Sequence, residues 1–441
     1  MKKKITFLAC AMLMCVSLAN ADNGQKVRTI DHFPGRAPVV RENGPARNVP
    51  LGGLNDDKDW GSKIWASTVT DYNRDPGFVY FYSNRPRYLT KTGIIMSREE
   101  DELRRWTMSS GTYHNGKYLA FFYYRYDFNI NHPRAFASVD LEHGTWTQLT
   151  DLSALENNWD FIESMATDPA TGKLMAMARK RDGTVASTFG EINAQTGAYT
   201  KMADLDQYYF AIAYDAYGTL WAVRWNSSDG NTVDGSRLVT LNPNNGYKED
   251  KVIKLKRDGY DFKMYFQNTM YFEPGTGDLY IAAANTEGYQ HLYKLNTETG
   301  VMDEKGPMGY GDIVTGMYIP GTVPASLDAA SRVTELSSTF DDNGVVTLKW
   351  KNPTTSWKKE PLTELAEVLV YRDGTEDDKL VATLKNNVEV GGEMTWTDNT
   401  ATQGVHVYYI VPCRVSGEKG VENTWRAFSG RDVPGYAENV T

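Results

Sequence analysis

Five times along this chain a turn containing glycine hands over to a short aromatic or apolar run. The units are Asp75-Pro76-Gly77 before Phe78-Val79-Tyr80-Phe81, and Asn115-Gly116 before Tyr118-Leu119-Ala120. Next come Asp168-Pro169-Ala170-Thr171-Gly172 before Leu174-Met175-Ala176, and Asp215-Ala216-Tyr217-Gly218 before Leu220-Trp221-Ala222. The last is Glu273-Pro274-Gly275-Thr276-Gly277 before Leu279-Tyr280-Ile281. A second turn interleaves with these: Val139-Asp140 to Gly144, Ile192-Asn193 to Gly197, Leu241-Asn242 to Gly246 and Leu295-Asn296 to Gly300. Asp and Asn side chains bond the backbone just ahead of them, and Gly accepts a positive φ, so each unit carries two turn signals. Two such signals repeating every 40 to 60 residues or so predict a four-stranded antiparallel sheet repeated around an axis. The fold class is therefore all-β, with a β-propeller over residues 61–321.

The innermost strands are predicted at Ser164–Thr167, Ala211–Tyr214, Thr269–Phe272 and Ile313–Ile319, with earlier ones near Trp65–Val69 and Thr112–His114. Six candidates predict six blades, and the five complete turn units leave five as the alternative. Open sheet edges invite aggregation, so the ring must close. The expected closure pairs Gly316-Met317-Tyr318-Ile319 with the N-terminal side of the propeller.

At 441 residues the chain is long enough for two domains. Lys2-Lys3-Lys4, the apolar run Ile5 to Leu18 and Ala19-Asn20-Ala21 predict a cleaved secretory signal over residues 1–21 and an exported product. That run is too short to span a bilayer, and no later segment predicts a transmembrane helix. Cleavage removes three lysines and no acid, taking the formal net charge from −9 to −12. An acidic surface repels phosphate backbones, which argues against nucleic acid as a partner. Cys10 and Cys15 leave with the signal, so lone Cys413 predicts no internal disulfide.

Residues 22–60, broken by Pro34-Gly35 and Asn43-Gly44-Pro45, read as an extended lead-in. After Pro320-Gly321 the pattern changes. Val345-Val346-Thr347-Leu348-Lys349-Trp350 alternates as a strand with its Trp inward, and Val368 to Tyr371, Thr395 to Asp398 and Val405 to Val415 follow as further strands. This segment, 322–430, resembles a fibronectin type III domain of secreted Bacteroidetes-type multidomain proteins. The resemblance rests on Trp350 followed by Asn352-Pro353, on Val370-Tyr371-Arg372-Asp373-Gly374, and on Gly404 leading into Tyr408. It implies a β-sandwich in which the Tyr408 hydroxyl bonds back to the corner backbone. It says little about function, since such domains serve as spacers and as binding modules. The tail, 431–441, resembles the start of another such module.

The segments that feed the inner strands share a composition: Trp159-Asp160-Phe161 with Glu163, Tyr208-Tyr209-Phe210, Tyr260-Asp261-Phe262, and Tyr310-Gly311-Asp312. Aromatic faces stack on sugar C–H groups and carboxylates accept sugar hydroxyls. The candidate ligand-binding residues are therefore Trp159, Asp160, Glu163, Tyr208, Tyr209, Tyr260, Asp261, Tyr310 and Asp312, lining one mouth of the channel. The competing reading is that a repeated Tyr-Asp-Phe motif packs the blades. Two acids from this set at glycosidase separation would make a hydrolase, but no motif marks a pair. The Asp140-to-Gly144 turn lacks the glycine spacing of a sialidase Asp-box. Six scattered His residues have no ligand spacing, and no nucleophile elbow or phosphate loop occurs, so neither metal nor cofactor is expected. The sequence reads as a secreted or cell-surface binding protein with a glycan or protein ligand on the propeller. The alternatives are a propeller-fold glycoside hydrolase and a structural module of the envelope.

Overall fold

The computed structural model describes residues 60–69, 77–94, 106–124, 135–152, 161–179, 186–225, 235–264, 268–285, 288–341 and 344–429. The proposed signal, the lead-in before Trp60, the tail from 431, and Trp159 and Asp160 lie outside them. The described residues form two compact units, the first comprising Gly61–Phe272 with Asp278–Pro320, the second running on from Gly321.

In the first unit the described residues build five four-stranded antiparallel sheets. The second sheet runs from the innermost strand outward as Trp106–His114, Lys117–Tyr124, Ala135–Asp140 and Thr145–Asp151. The third is Phe161–Thr167, Leu174–Arg179, Ser187–Ile192 and Tyr199–Asp204; the fourth is Tyr209–Tyr214, Leu220–Arg224, Arg237–Asn242 and Lys248–Lys254. The fifth is Thr269–Phe272, Leu279–Ala284, Gln290–Leu295 and Met302–Pro307. The first sheet closes the ring. Its innermost strand, Ile313–Tyr318, comes from the C-terminal end of the unit and pairs with Lys63–Val69, followed by Gly77–Tyr82 and Arg85–Ile94. The arrangement is that of a β-propeller. Trp65–Val69, expected as a sixth inner strand, is instead the second strand of this closing sheet, paired on both sides. That is why the described sheets number five and not six.

Neighbouring inner strands do not share a ladder, so their edge polar groups need other partners. Ser and Thr hydroxyls supply them. Ser109 Oγ donates to Ile162 O at 3.1 Å, Ser164 Oγ accepts from Ile212 N at 3.1 Å, and Thr269 Oγ1 accepts from Met317 N at 2.9 Å. Thr315 Oγ1 donates to Met108 O at 3.3 Å, and the buried Tyr118 hydroxyl donates to Gly316 O. Between the fourth and fifth sheets the contact is apolar, with Ala211, Ala213 and Trp221 against Met270, Phe272 and Leu279.

The recurring outer turn now has a physical cause. Asn193 Oδ1 accepts from the backbone of Gln195 and Thr196, and Asn296 Oδ1 from Glu298 and Thr299. The glycine that follows does two things at Gly144 and Gly300. Each has positive φ, 64° and 72°, and a Cβ there would collide with Thr92 O or Lys254 O on the outer strand of the preceding sheet.

The second unit holds a three-stranded sheet, Thr334–Phe340, Val346–Lys351 and Glu393–Asp398, and a four-stranded one, Leu380–Leu384, Glu367–Arg372, Gly404–Cys413 and Asn423–Ser429. Trp350, 1% exposed, sits in their shared core with Val368, Val370, Tyr408 and Ile410, and its indole N–H donates to Asn352 Oδ1 at 3.1 Å. The expectation for Tyr408 needs correcting. Its hydroxyl donates to the Asp398 carboxylate at 2.9 Å rather than to corner backbone. Burial alone would raise the Asp398 pKa, but hydrogen bonds from Thr400, Arg372 and Tyr408 outweigh it and hold the carboxyl below its usual range. A buried carboxylate with that many donors is the stronger anchor for the phenol.

Candidate functional site: the entry end of the third and fourth sheets

Every inner strand runs in the same sense around the ring, so the unit has an entry end and an exit end. Connections on the exit side are short, none longer than the six residues of 168–173, 193–198, 273–278 and 296–301. The intervals between described strands on the entry side are longer, at 95–105 and 225–236, and mostly lie outside the described residues. Tight turns serve the fold, whereas long connections are where binding groups are carried.

Three inner strands also bulge near this end. The ladder skips Ser109, Glu163 and Phe210, one in each of the second, third and fourth sheets. A bulge re-aims the extra residue out of the normal alternation. At Glu163 the result is a half-buried carboxylate at the junction of two sheets. Its Oε1 accepts from the Tyr208 hydroxyl at 2.6 Å and lies 3.3 Å from Arg179 Nε. Its Oε2 has no partner among the described residues. The side chains of Glu163 and Arg179 are 17% and 20% exposed. Burial first, and then the Glu163 charge, push the Tyr208 phenol well above its ordinary range, which keeps it a donor.

Aromatic rings surround the ion pair. The Arg179 guanidinium lies 4.8 Å from the Phe161 ring centre, and Phe161 packs on Tyr123 at 4.5 Å. Tyr208 meets Trp225 edge-on at 5.7 Å and Phe210 at 5.1 Å. The Tyr123 hydroxyl accepts from Ile162 N at 3.1 Å, fixing the second sheet to the third beside the bulge. The whole forms a carboxylate held by one hydroxyl donor and one cation among aromatic rings, of which Tyr123, Tyr208 and Phe210 are buried. Among the described residues no group of three or more His, Cys, Asp or Glu side chains is placed to hold a metal ion.

Of the candidates read from the sequence, Glu163 and Tyr208 come together here. Tyr209 does not: it is 2% exposed in the core between the third and fourth sheets, with its hydroxyl on Glu249 at 2.9 Å and Glu249 paired to Arg224 at 2.8 Å. Tyr260 and Asp261 lie on a small hairpin with Lys256–Arg257, which bridges to Val301 in the outer turn of the fifth sheet. Tyr260 is 79% exposed there, and Asp261 pairs with Lys254 at 3.1 Å. Tyr310 lies under the Arg87 guanidinium at 4.8 Å, beside the outermost strand of the closing sheet, and Asp312 Oδ2 caps its own turn by accepting from Tyr310 N at 3.1 Å. Arg179 and Trp225 were missed because they end or follow second strands, which the search along inner-strand entries passes over. The bulge itself leaves no mark in the sequence.

No protein-family model matches the chain, and no curated protein matches it. Among solved structures, the chain is similar to the xyloglucan PUL GH43B of Bacteroides ovatus at 12% identity, covering 84% of this chain and 90% of that one with a TM-score of 0.37. It is similar to TolB of Acinetobacter baumannii at 13% identity, covering 67% and 62%, TM-score 0.34. It is similar also to the RS223-β-xylosidase at 10% identity, covering 56% and 89%, TM-score 0.35. The propeller arrangement itself stands on the strand order and ring closure described above.

Proposed function

We propose that this chain is an exported glycan-binding protein: a signal peptide, a five-bladed propeller that takes the ligand at its entry end, and a fibronectin type III-like sandwich acting as a spacer. Glu163 Oε2, without a partner among the described residues and lying near Phe161, Tyr208 and Trp225, carries this reading. The Tyr208 hydroxyl and the Arg179 cation meet the same Glu163 oxygen, so the carboxylate is oriented before a ligand arrives and its second oxygen remains an acceptor for sugar hydroxyls. Pre-orientation of this kind lowers the entropy lost on binding. The ligand approaches a surface of net negative charge, which favours a glycan or protein over nucleic acid. Among the described residues no helix is long and apolar enough to cross a membrane.

Titration of the mature chain against a glycan panel tests the site. Loss of one stacking ring costs about 1–3 kcal/mol at other flat ligands, so Trp225→Ala is expected to weaken binding by roughly that amount. Glu163→Gln keeps shape and removes charge, and is expected to weaken it less. Wild-type affinity in both variants would sink the proposal.

The bulge at Glu163 favours a second reading, a propeller-fold hydrolase, because bulges recur where a strand re-aims a catalytic side chain. The same variant separates the two. A hydrolase loses most of its rate in Glu163→Gln, typically a hundredfold or more for a general acid or base, while still holding substrate. A binder has no turnover to lose. A chain that binds nothing and turns over nothing is left as a structural module of the envelope.

A further inference from the structure

The opposite end of the inner strands carries a separate aromatic cluster. Tyr113, Tyr271 and Tyr318 each lie within the last two residues of their inner strands, in the second, fifth and closing sheets. These three strands are neighbours in the ring, so their exit ends converge. Tyr113 stacks face to face on Tyr318, with ring centres 4.5 Å apart and planes within 7°. Tyr271 meets Tyr318 edge-on at 5.7 Å. Tyr113 is 37% exposed. Tyr318 backs one face of its ring, and the ring has no second aromatic or cationic partner among the described residues.

The phenols are also idle in a way that packing does not explain. Tyr118, just beneath them, uses its hydroxyl to hold the closing strand. The hydroxyls of Tyr113, Tyr271 and Tyr318 have no hydrogen-bond partner among the described residues, and burial, deepest at Tyr271, pushes the Tyr271 and Tyr318 phenols above their ordinary range. A position that only fills space is served by Phe without a polar group to satisfy. The adjoining groups are uncharged in character. His114 is 7% exposed, bonded through Nδ1 to Thr167 Oγ1 at 3.1 Å, and its pKa is lowered by burial. Thr167 in turn donates to Tyr113 O at 3.0 Å, tying the third sheet to this mouth. Burial pushes the Tyr318 phenol up to about 12, with Tyr113 adding to the shift. The cluster therefore offers flat faces and neutral donor-acceptors.

We propose that the exit end of the propeller is a second binding site, in which Tyr113, backed by Tyr318, stacks on a neutral sugar ring and the Tyr271 and Tyr318 hydroxyls bond to its hydroxyl groups. A neutral sugar combines a C–H face for stacking with an equatorial fringe of hydroxyls, which matches this lining. The site stands independently of the entry end, because it uses no residue of the Glu163 cluster.

Calorimetric titration of the mature chain with cellohexaose, xylohexaose and mannohexaose, and with the charged hexamer of galacturonic acid, tests it. The Trp225→Ala background removes the contribution of the entry end. At least one neutral hexamer is expected to bind there, and more tightly than the galacturonate. Adding Tyr113→Ala should weaken that binding tenfold or more, as loss of one stacking ring does elsewhere. Tyr113→Phe should stay within about threefold, since the face is retained, and it guards against a folding defect in the alanine variant. The proposal is overturned if no neutral hexamer binds in that background, if the galacturonate binds as well or better, or if Tyr113→Ala leaves the dissociation constant unchanged.

Discussion

The two ends of the same five inner strands solve different problems. At the entry end three strands bulge and a charged pair sits among aromatic rings. At the exit end turns are short, three tyrosines cluster, and Tyr118 reaches across to the closing strand. The comparison teaches that in this propeller the Glu163–Arg179 pair and its bulge lie away from the Tyr118 bridge that helps to close the ring. The closing end relies on tight turns and on the Tyr118 hydroxyl that spans two sheets. An end that presents groups to a ligand tolerates an extra residue in the ladder.

The largest expected effect tests closure. Tyr118 is 2% exposed within the cluster joining the closing and second sheets. Tyr118→Ala should destabilise the protein by about 3–5 kcal/mol, as truncation of a buried aromatic does. An unchanged denaturation midpoint would break the assignment of closure to the exit end. At the entry end, Arg179→Leu strips Glu163 of its cation and leaves the carboxylate with Tyr208 alone. Leaving a half-buried charge poorly compensated should cost about 2 kcal/mol, read by the same denaturation. If the variant is instead as stable as wild type, the pair is there for the ligand and not for the fold, which sharpens the contrast.

Smaller still is Tyr118→Phe, which removes only the hydroxyl that reaches Gly316 O and should cost about 1 kcal/mol. A separate effect falls on the alkaline limb. The Tyr318 phenol is raised from 10.0 to about 12 in the folded protein, mainly by burial. The unfolded chain then gives up this proton first, so the contribution is complete below pH 10 and is lost as pH rises from there toward 12. Unfolding measured between pH 9 and pH 12 should show a shallower decline in Tyr318→Phe than in wild type. An identical decline would mean that the exit-end phenol is no more shielded than a free one.

Much of the fold was legible because its signals are local. Asn193 and Asn296 bond backbone two and three residues ahead, and Gly144 and Gly300 adopt a positive φ, so the repeat of outer turns is written directly into the chain. Trp65–Val69 has the same local character as an inner strand. Its true place depends on pairing with Ile313–Tyr318 from the far end of the unit, which no local pattern encodes. The candidate site divides in the same way. Tyr208 and Glu163 were readable as residue types at inner-strand entries, whereas Tyr260 and Tyr310 shared that phase and landed beside outer strands. The connection from an outermost strand to the next innermost one crosses the full width of a sheet, so position along it decides where a side chain ends up.

The sequence by itself determined the strand periodicity, the turn chemistry and the change of character after Pro320, because each depends on residues within a few positions of one another. Only the tertiary structure decided that Arg179 and Tyr208 meet one oxygen of Glu163, and that Tyr113, Tyr271 and Tyr318 gather at the other end. Both depend on how neighbouring sheets lie around the ring. The geometry of that ring is set by hydroxyl bridges and apolar contacts between strands distant in sequence, whose energy no single segment contains.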